Sequence, residues 1–119
     1  SWIPWDNNEA LQVGNMEGAL SLDFSNLNAA EWPLISYLYQ DATYKAKYDE
    51  YVQNVVETVF NASIMQPKYA TYANLIEPYA NIEVPGYTFL NSSSDFQSAI
   101  NTLNSHVTSR VNAVANYLD

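Results

Sequence analysis

The sequence predicts an all-α protein, a small bundle of three or four helices with an extended N-terminal segment. Three observations predict it. From Pro33 onward apolar residues recur at three- and four-residue steps. Alternation of the strand type is confined to Leu20, Leu22 and Phe24, interleaved with Ser21 and Asp23. Two of the three glycines, Gly14 and Gly18, lie before residue 30, in a stretch without a sustained helical period. The chain therefore divides into residues 1–30, an extended or loop segment that completes an upstream domain, and residues 31–119, a helical subdomain.

The elements follow in order. Ser1-Trp2-Ile3-Pro4-Trp5-Asp6 is apolar and aromatic and runs straight into an acid, the pattern of a buried strand that ends in Asp6 and belongs to a larger fold. Pro33 suits a helix first turn, and Leu34, Ile35, Leu38 and Tyr39 give a short apolar face ending near Gln40. Asp41 caps a second helix through Asn61, with Tyr44, Tyr48, Tyr51, Val52, Val55, Val59 and Phe60 on its apolar side. A third helix covers Ala62 to Ala80, with Ile64, Met65, Tyr69, Tyr72, Leu75, Ile76 and Tyr79 inward. Pro67 should kink that helix or mark its start, because proline has no N–H to give. Asn81 to Ser93 is a connector with a Pro85-Gly86 turn and a short extended piece at Tyr87 to Leu90. The last helix opens on a Ser94–Gln97 capping box and carries one stripe of Phe96, Ile100, Leu103, Val107, Val111, Val114 and Leu118.

Composition narrows the function. With 119 residues, 48% of them hydrophobic, the chain has enough apolar material for one core. Thirteen acids against four bases give a formal charge of -9, a field that repels phosphate backbones and disfavours nucleic-acid binding. Cysteine is absent, which removes disulfides, thiolate nucleophiles and Cys-based zinc sites together. No run approaches the roughly 20 apolar residues of a membrane span.

Few residues carry recognisable chemistry. His106 is the only histidine, so a triad or multi-His metal site cannot be built from this chain alone; its place beside Val107 reads as a surface flank, and Arg110 as a solvated partner of a nearby acid. Asp6, Asn7, Asn8 and Glu9 form one cluster of oxygen donors. Ala10 and Leu11 stand where a calcium loop of the EF-hand type needs a ligand and a glycine. From spacing alone Asp6 reads rather as the cap of a following turn, with Asn7 and Asn8 as turn formers. Glu17, Asp23 and Glu31 read as scattered surface charge, Asn61-Ala62-Ser63 and Asn91-Ser92-Ser93 match the glycosylation sequon, and the tyrosines read as core and rim aromatics.

Three pieces in order, Trp2-Ile3-Pro4-Trp5-Asp6, then Trp32-Pro33-Leu34-Ile35-Ser36-Tyr37-Leu38 followed by Tyr44-Lys45-Ala46-Lys47-Tyr48, then Asp95-Phe96 opening a long helix, resemble the C-terminal part of the spore-coat protein H family, the secreted kinase-like CotH proteins. The resemblance covers nearly the whole chain. It implies an atypical protein-kinase fold in which Asp6 is a metal ligand, with Asn8 where family members often carry a second acid, holding Mg²⁺ or Mn²⁺ with ATP. It implies phosphoryl transfer to Ser or Thr of a surface or extracellular protein, at the cell or spore surface. The nucleotide-binding lobe, the ATP-anchoring lysine and the catalytic-base aspartate precede the Asp6 position in that family. Residues 1–119 alone are therefore expected to be inactive, with the upstream lobe as their first partner. The alternative is a non-catalytic interaction module that docks on a coat or surface partner through its tyrosine-rich faces.

Overall fold

The computed structural model describes Leu11 and residues 21–84 and 86–119. Asp6, Asn8 and the predicted strand end lie outside the described residues. Those described build four helices and no strand: α1 Pro33–Gln40, α2 Ala42–Thr58, α3 Ala62–Ala80 and α4 Ser93–Leu118. The all-α bundle expected from the apolar periodicity is the observed fold.

Each helix begins for a local reason. Pro33 at the first position of α1 presets the helical φ, and its missing N–H would have had no helical partner there. Asp41 ends α1 and starts α2, its carboxylate accepting from the backbone N–H groups of Thr43 at 2.9 Å and Tyr44 at 3.2 Å. The second helix stops at Thr58 rather than running to Asn61. Asn61 instead serves both sides of the break. Its side-chain oxygen accepts from the Ile64 N–H, and its amide donates to the carbonyls of Val56 and Glu57.

Pro67 does not mark the start of α3, which runs unbroken from Ala62 through Pro67 and Pro78. The N-terminus of α4 also differs from the Ser94–Gln97 expectation. Ser92 is the cap residue, and the Asp95 carboxylate accepts from the N–H groups of Asn91 at 2.8 Å and Ser92 at 3.2 Å and from the Ser92 hydroxyl at 3.0 Å. The carboxylate satisfies two orphan donors at the positive end of the helix, where an amide would lack the charge. The hydrogen bond from the Asn91 N–H, chief among these, holds the Asp95 carboxyl below the usual carboxylate range.

No strand forms at Ser21 to Phe24, where Leu22 is a bend in otherwise irregular chain, or at Tyr87 to Leu90, which is turn, bend and irregular chain. The Val84 carbonyl accepts from the Tyr87 N–H at 3.0 Å, and Gly86 within that turn has φ +93°, a conformation open to glycine and strained for other residues.

Helix α4 is the centre of the bundle, packed against both α3 and α2, while α1 packs on α2. Phe96, Val107 and Val114 of its predicted stripe are buried, and Val107 is fully enclosed. His106, expected at the surface, is buried as well, at 4% exposure. A helix covered from two sides buries a wider arc than one stripe, so the flank position 106 turns inward, edge-on to Phe60 with ring centroids 6.2 Å apart.

The predicted apolar faces of α2 and α3 are covered only in part: Tyr48, Val52 and Phe60 of the first and Ile64, Met65 and Tyr69 of the second are half-buried, whereas Tyr44, Tyr51, Val55 and Val59 of the first are exposed. Tyr72, Leu75, Ile76 and Tyr79 were expected inward, yet they are exposed. The residue buried in α3 is Ala73, and Ala62, Met65, Gln66, Tyr69, Glu77 and Ala80 are half-buried along the same side. The covered side thus mixes Ala62, Ala73 and Ala80 with Met65, Gln66, Tyr69 and Glu77, and the bulky residues of the second half of the predicted stripe stay outside.

Candidate functional site

The densest polar cluster among the described residues forms where the loop at 21–25 meets α1, α2 and α4. Tyr39 closes α1, Lys45 and Asp49 are one turn apart on α2, and Tyr117 lies in the last turn of α4. Tyr39 Oη donates to Asp23 Oδ1 at 3.0 Å, and Tyr117 Oη donates to Asp49 Oδ1 at 2.6 Å. The two hydroxyl oxygens are 2.9 Å apart. Lys45 Nζ reaches both Asp49 oxygens, at 3.1 and 2.8 Å, and Tyr117 Oη at 3.2 Å.

Proton accounting orders this network. Two hydroxyl protons serve three oxygen–oxygen contacts, and ionised carboxylates are the better acceptors, so each proton goes to its aspartate. The two hydroxyl oxygens then face each other without a proton between them. The Lys45 ammonium, donating to Tyr117, offsets that repulsion and lies 5.2 and 5.1 Å from the centroids of the Tyr39 and Tyr117 rings.

The protonation states follow from the same contacts. Asp23 is held below the ordinary carboxylate range, first by the Ser25 backbone N–H at 2.9 Å and then by the Ser25 and Tyr39 side chains. Partial burial pushes Asp49 up, but the hydrogen bonds from Lys45 and Tyr117 outweigh it and leave the carboxyl lowered. The bond to Asp49 holds Lys45 protonated beyond its usual range. Burial, then the bond to Asp49, pushes the Tyr117 phenol far up. At neutral pH Lys45 is therefore not a base and Tyr117 not a nucleophile. The cluster joins α1, α2, α4 and the loop at 21–25 in one hydrogen-bonded network.

Around it an aromatic knot completes the fastening. Phe24 sits 5.6 Å from Tyr39 and 5.5 Å from Tyr48, centroid to centroid, and Tyr48 sits 6.0 Å from Tyr117. Tyr48 Oη donates to the Leu22 carbonyl at 3.1 Å. Residues 22–25 are thus tied directly to α1 and α2 and, through the Tyr39–Tyr117 contact, to α4. Beside the cluster lies an open groove of about 660 Å³, lined by Asp23, Ser25, Lys45, Arg110, Asn116 and Tyr117 among others.

Of the residues singled out from sequence, Asp6, Asn8 and Glu17 lie outside the described residues. Asp23, taken for scattered charge, is a member of the network, whereas Glu31 is exposed. Arg110 is half-buried and lines the groove. His106 is enclosed, with neither ring nitrogen hydrogen-bonded among the described residues. The pairing of Tyr39 with Tyr117 spans 78 positions and left no mark in the periodicity; the Lys45–Asp49 spacing of four on one helix was the single legible signal.

Among the described residues no three His, Asp or Glu side chains converge as a metal site, and no helix is long and apolar enough to cross a membrane. No curated protein and no solved structure gives a significant match. The profile of the family described as CotH kinase protein matches residues 1–114, nearly the whole chain. The chain belongs to the CotH kinase protein family.

Proposed function

We propose that residues 1–119 are the C-terminal helical part of a secreted kinase-like protein that transfers phosphate from ATP to Ser or Thr of a coat, surface or extracellular protein. The bundle's role is to hold the segment that bears Asp6. The observation that carries this reading is the family match over residues 1–114; the clamp adds that residues 22–25 are anchored on α1 and α2 and, through Tyr39 and Tyr117, on α4. A positioning role fits the protonation of Lys45, held charged by Asp49, and of Tyr117, held neutral by burial and by its bond to Asp49.

Asp6, with Asn8 two residues on, supplies hard oxygen donors of the kind that Mg²⁺ and Mn²⁺ prefer. A divalent cation held there would offset charge on the β- and γ-phosphates of ATP. Asn8 adds an oxygen but no charge, so the affinity for metal should be modest. The nucleotide lobe, the lysine and the base that complete transfer belong to the upstream part of the polypeptide, which is the bundle's partner in this reading.

A titration of the full-length protein with Mn²⁺ in the presence of ATP, followed by tryptophan fluorescence, tests the assignment, because Trp5 is adjacent to Asp6. A saturable change that Asp6→Ala abolishes and Asn8→Asp tightens is expected. An identical titration in the parent and Asp6→Ala removes Asp6 from the site.

A further inference from the structure

Two asparagines of the chain stand in the Asn-X-Ser pattern that an N-linked oligosaccharide requires, in Asn61-Ala62-Ser63 and Asn91-Ser92-Ser93. The fold treats them differently. Asn61 is half-buried at the corner between α2 and α3. Its amide nitrogen donates to the Val56 carbonyl at 3.0 Å and the Glu57 carbonyl at 3.2 Å, and its amide oxygen accepts from the Ile64 N–H and the Ser63 hydroxyl. The amide nitrogen has two N–H groups, and the corner uses both. A sugar bonded there replaces one of them and forces the end of α2 away from the side chain that caps α3.

Asn91 lies in the loop before α4 and is exposed. Its backbone N–H, which donates to Asp95 Oδ2 at 2.8 Å, is untouched by a change at the side chain. That N–H is the first of the groups that lower the Asp95 carboxyl, and the Asn91 amide is the last. One N–H of the amide remains for Asp95 when the other is replaced.

The neighbouring residues turn the site outward. From Tyr87 to Asn91 exposure alternates: Tyr87, Phe89 and Asn91 are exposed, whereas Thr88 and Leu90 are half-buried. Phe89 and Asn91 thus share the outward side, and the Phe89 side chain, at 102% exposure, stands wholly in water. A sugar ring beside it would take part of that apolar surface out of water. An open groove of about 410 Å³, lined by Asn81, Glu83, Thr88, Asn91 and Ser92 among others, adjoins the sequon and offers hydrogen-bonding groups to sugar hydroxyls.

We propose that Asn91, and not Asn61, carries an N-linked oligosaccharide when the polypeptide passes through a secretory pathway that supplies a lipid-diphosphate-linked oligosaccharide donor. In the transfer the Asn91 amide nitrogen forms a bond to the anomeric carbon of the first sugar. The bond from that carbon to the diphosphate oxygen breaks, the lipid diphosphate leaves with the electron pair, and one amide proton passes to a base of the transferase. Transfer to the unfolded chain reaches both asparagines; the fold selects the product, because a glycan at Asn61 leaves the α2–α3 corner open. The inference rests on the secreted part of the function proposed above and is independent of phosphate transfer.

Secretion of the full-length protein from yeast behind a host leader tests it. Peptide-N-glycosidase in heavy-oxygen water converts each glycosylated Asn to a labelled Asp, which peptide mass spectrometry locates. Label at position 91 and none at 61 is expected in the folded, secreted protein. Ser93→Ala, which spoils the sequon and keeps Asn91, should lose the glycan, and Ser63→Ala should retain it. No label at 91, or as much label at 61 as at 91, overturns the proposal. Export from the natural host is scored separately: retention in the cell there sinks the secreted reading and not the acceptor site, and export with position 91 unlabelled in the yeast product does the reverse.

Discussion

Removing one oxygen from the clamp, in Tyr117→Phe, tests how much the network holds. The ring stays, with its contacts to Tyr48 and Lys45. The hydroxyl that donates to Asp49 at 2.6 Å and accepts from Lys45 at 3.2 Å is lost. A hydrogen bond to a charged group contributes about 1.5–3 kcal/mol. The Lys45 and Asp49 side chains are 40% and 30% exposed, so water replaces part of what is lost. A loss of about 1.5–2 kcal/mol is expected, which for a domain of this size lowers the thermal midpoint by roughly 6–8 °C.

The pH dependence separates this cause from a packing defect. Asp49 is lowered in the fold against its ordinary 3.8, so its stabilisation is present above 3.8 and is lost as pH falls through the folded value. Tyr117 is raised against its ordinary 10.0, so its contribution is full below 10.0 and is lost as pH rises through the folded value. The difference between parent and Tyr117→Phe should therefore be flat between about pH 4 and 10 and shrink on both sides. Urea titrations across that range, read by circular dichroism, measure it. A variant within about 0.5 kcal/mol of the parent at neutral pH, or a difference that does not shrink in acid, refutes the reasoning.

Other substitutions probe the packing. Val107→Ala, at the one fully enclosed side chain, should cost about 2–3 kcal/mol in a urea titration from lost contacts and the cavity left behind; a cost below about 0.5 kcal/mol would mean that the α3–α4 contact is not the core. His106→Leu should be neutral or stabilising by up to about 1 kcal/mol, because it replaces an enclosed ring whose nitrogens have no hydrogen bond among the described residues. A clear drop in midpoint would show that those nitrogens are satisfied. Asp41→Ala should lower the thermal midpoint by roughly 4 °C through the lost α2 cap, and an unchanged midpoint would show that the two bonds to Thr43 and Tyr44 are replaced by water.

The helices were legible because their signals are local. Periodicity, Pro33 and the Asp41 cap placed three starts and the final stripe with no knowledge of neighbours. What failed depended on neighbours. Which side of α3 lies against α4 depends on the neighbouring helix, and nothing in residues 62–80 states that. His106 was misplaced because a single stripe assumes one packed side, whereas α4 has two. The α4 cap moved because Asp95, with its charge, competes better than Gln97 for orphan N–H groups. The clamp was invisible for a further reason: its members are ordinary residues whose importance lies in the meeting of Asp23, Tyr39 and Tyr117 from distant positions. The resemblance to the CotH proteins, by contrast, was carried by short runs in fixed order, and the family match covers the same span.

Transfer of labelled phosphate from ATP, with Mg²⁺ or Mn²⁺, by the full-length protein and by its Asp6→Ala variant tests the proposed activity most directly. The account predicts label on Ser or Thr with the parent and none with the variant, while both keep the same helical circular dichroism. Label at the parent rate in Asp6→Ala would contradict the role of Asp6. No label from either folded protein would contradict the kinase and favour an interaction module.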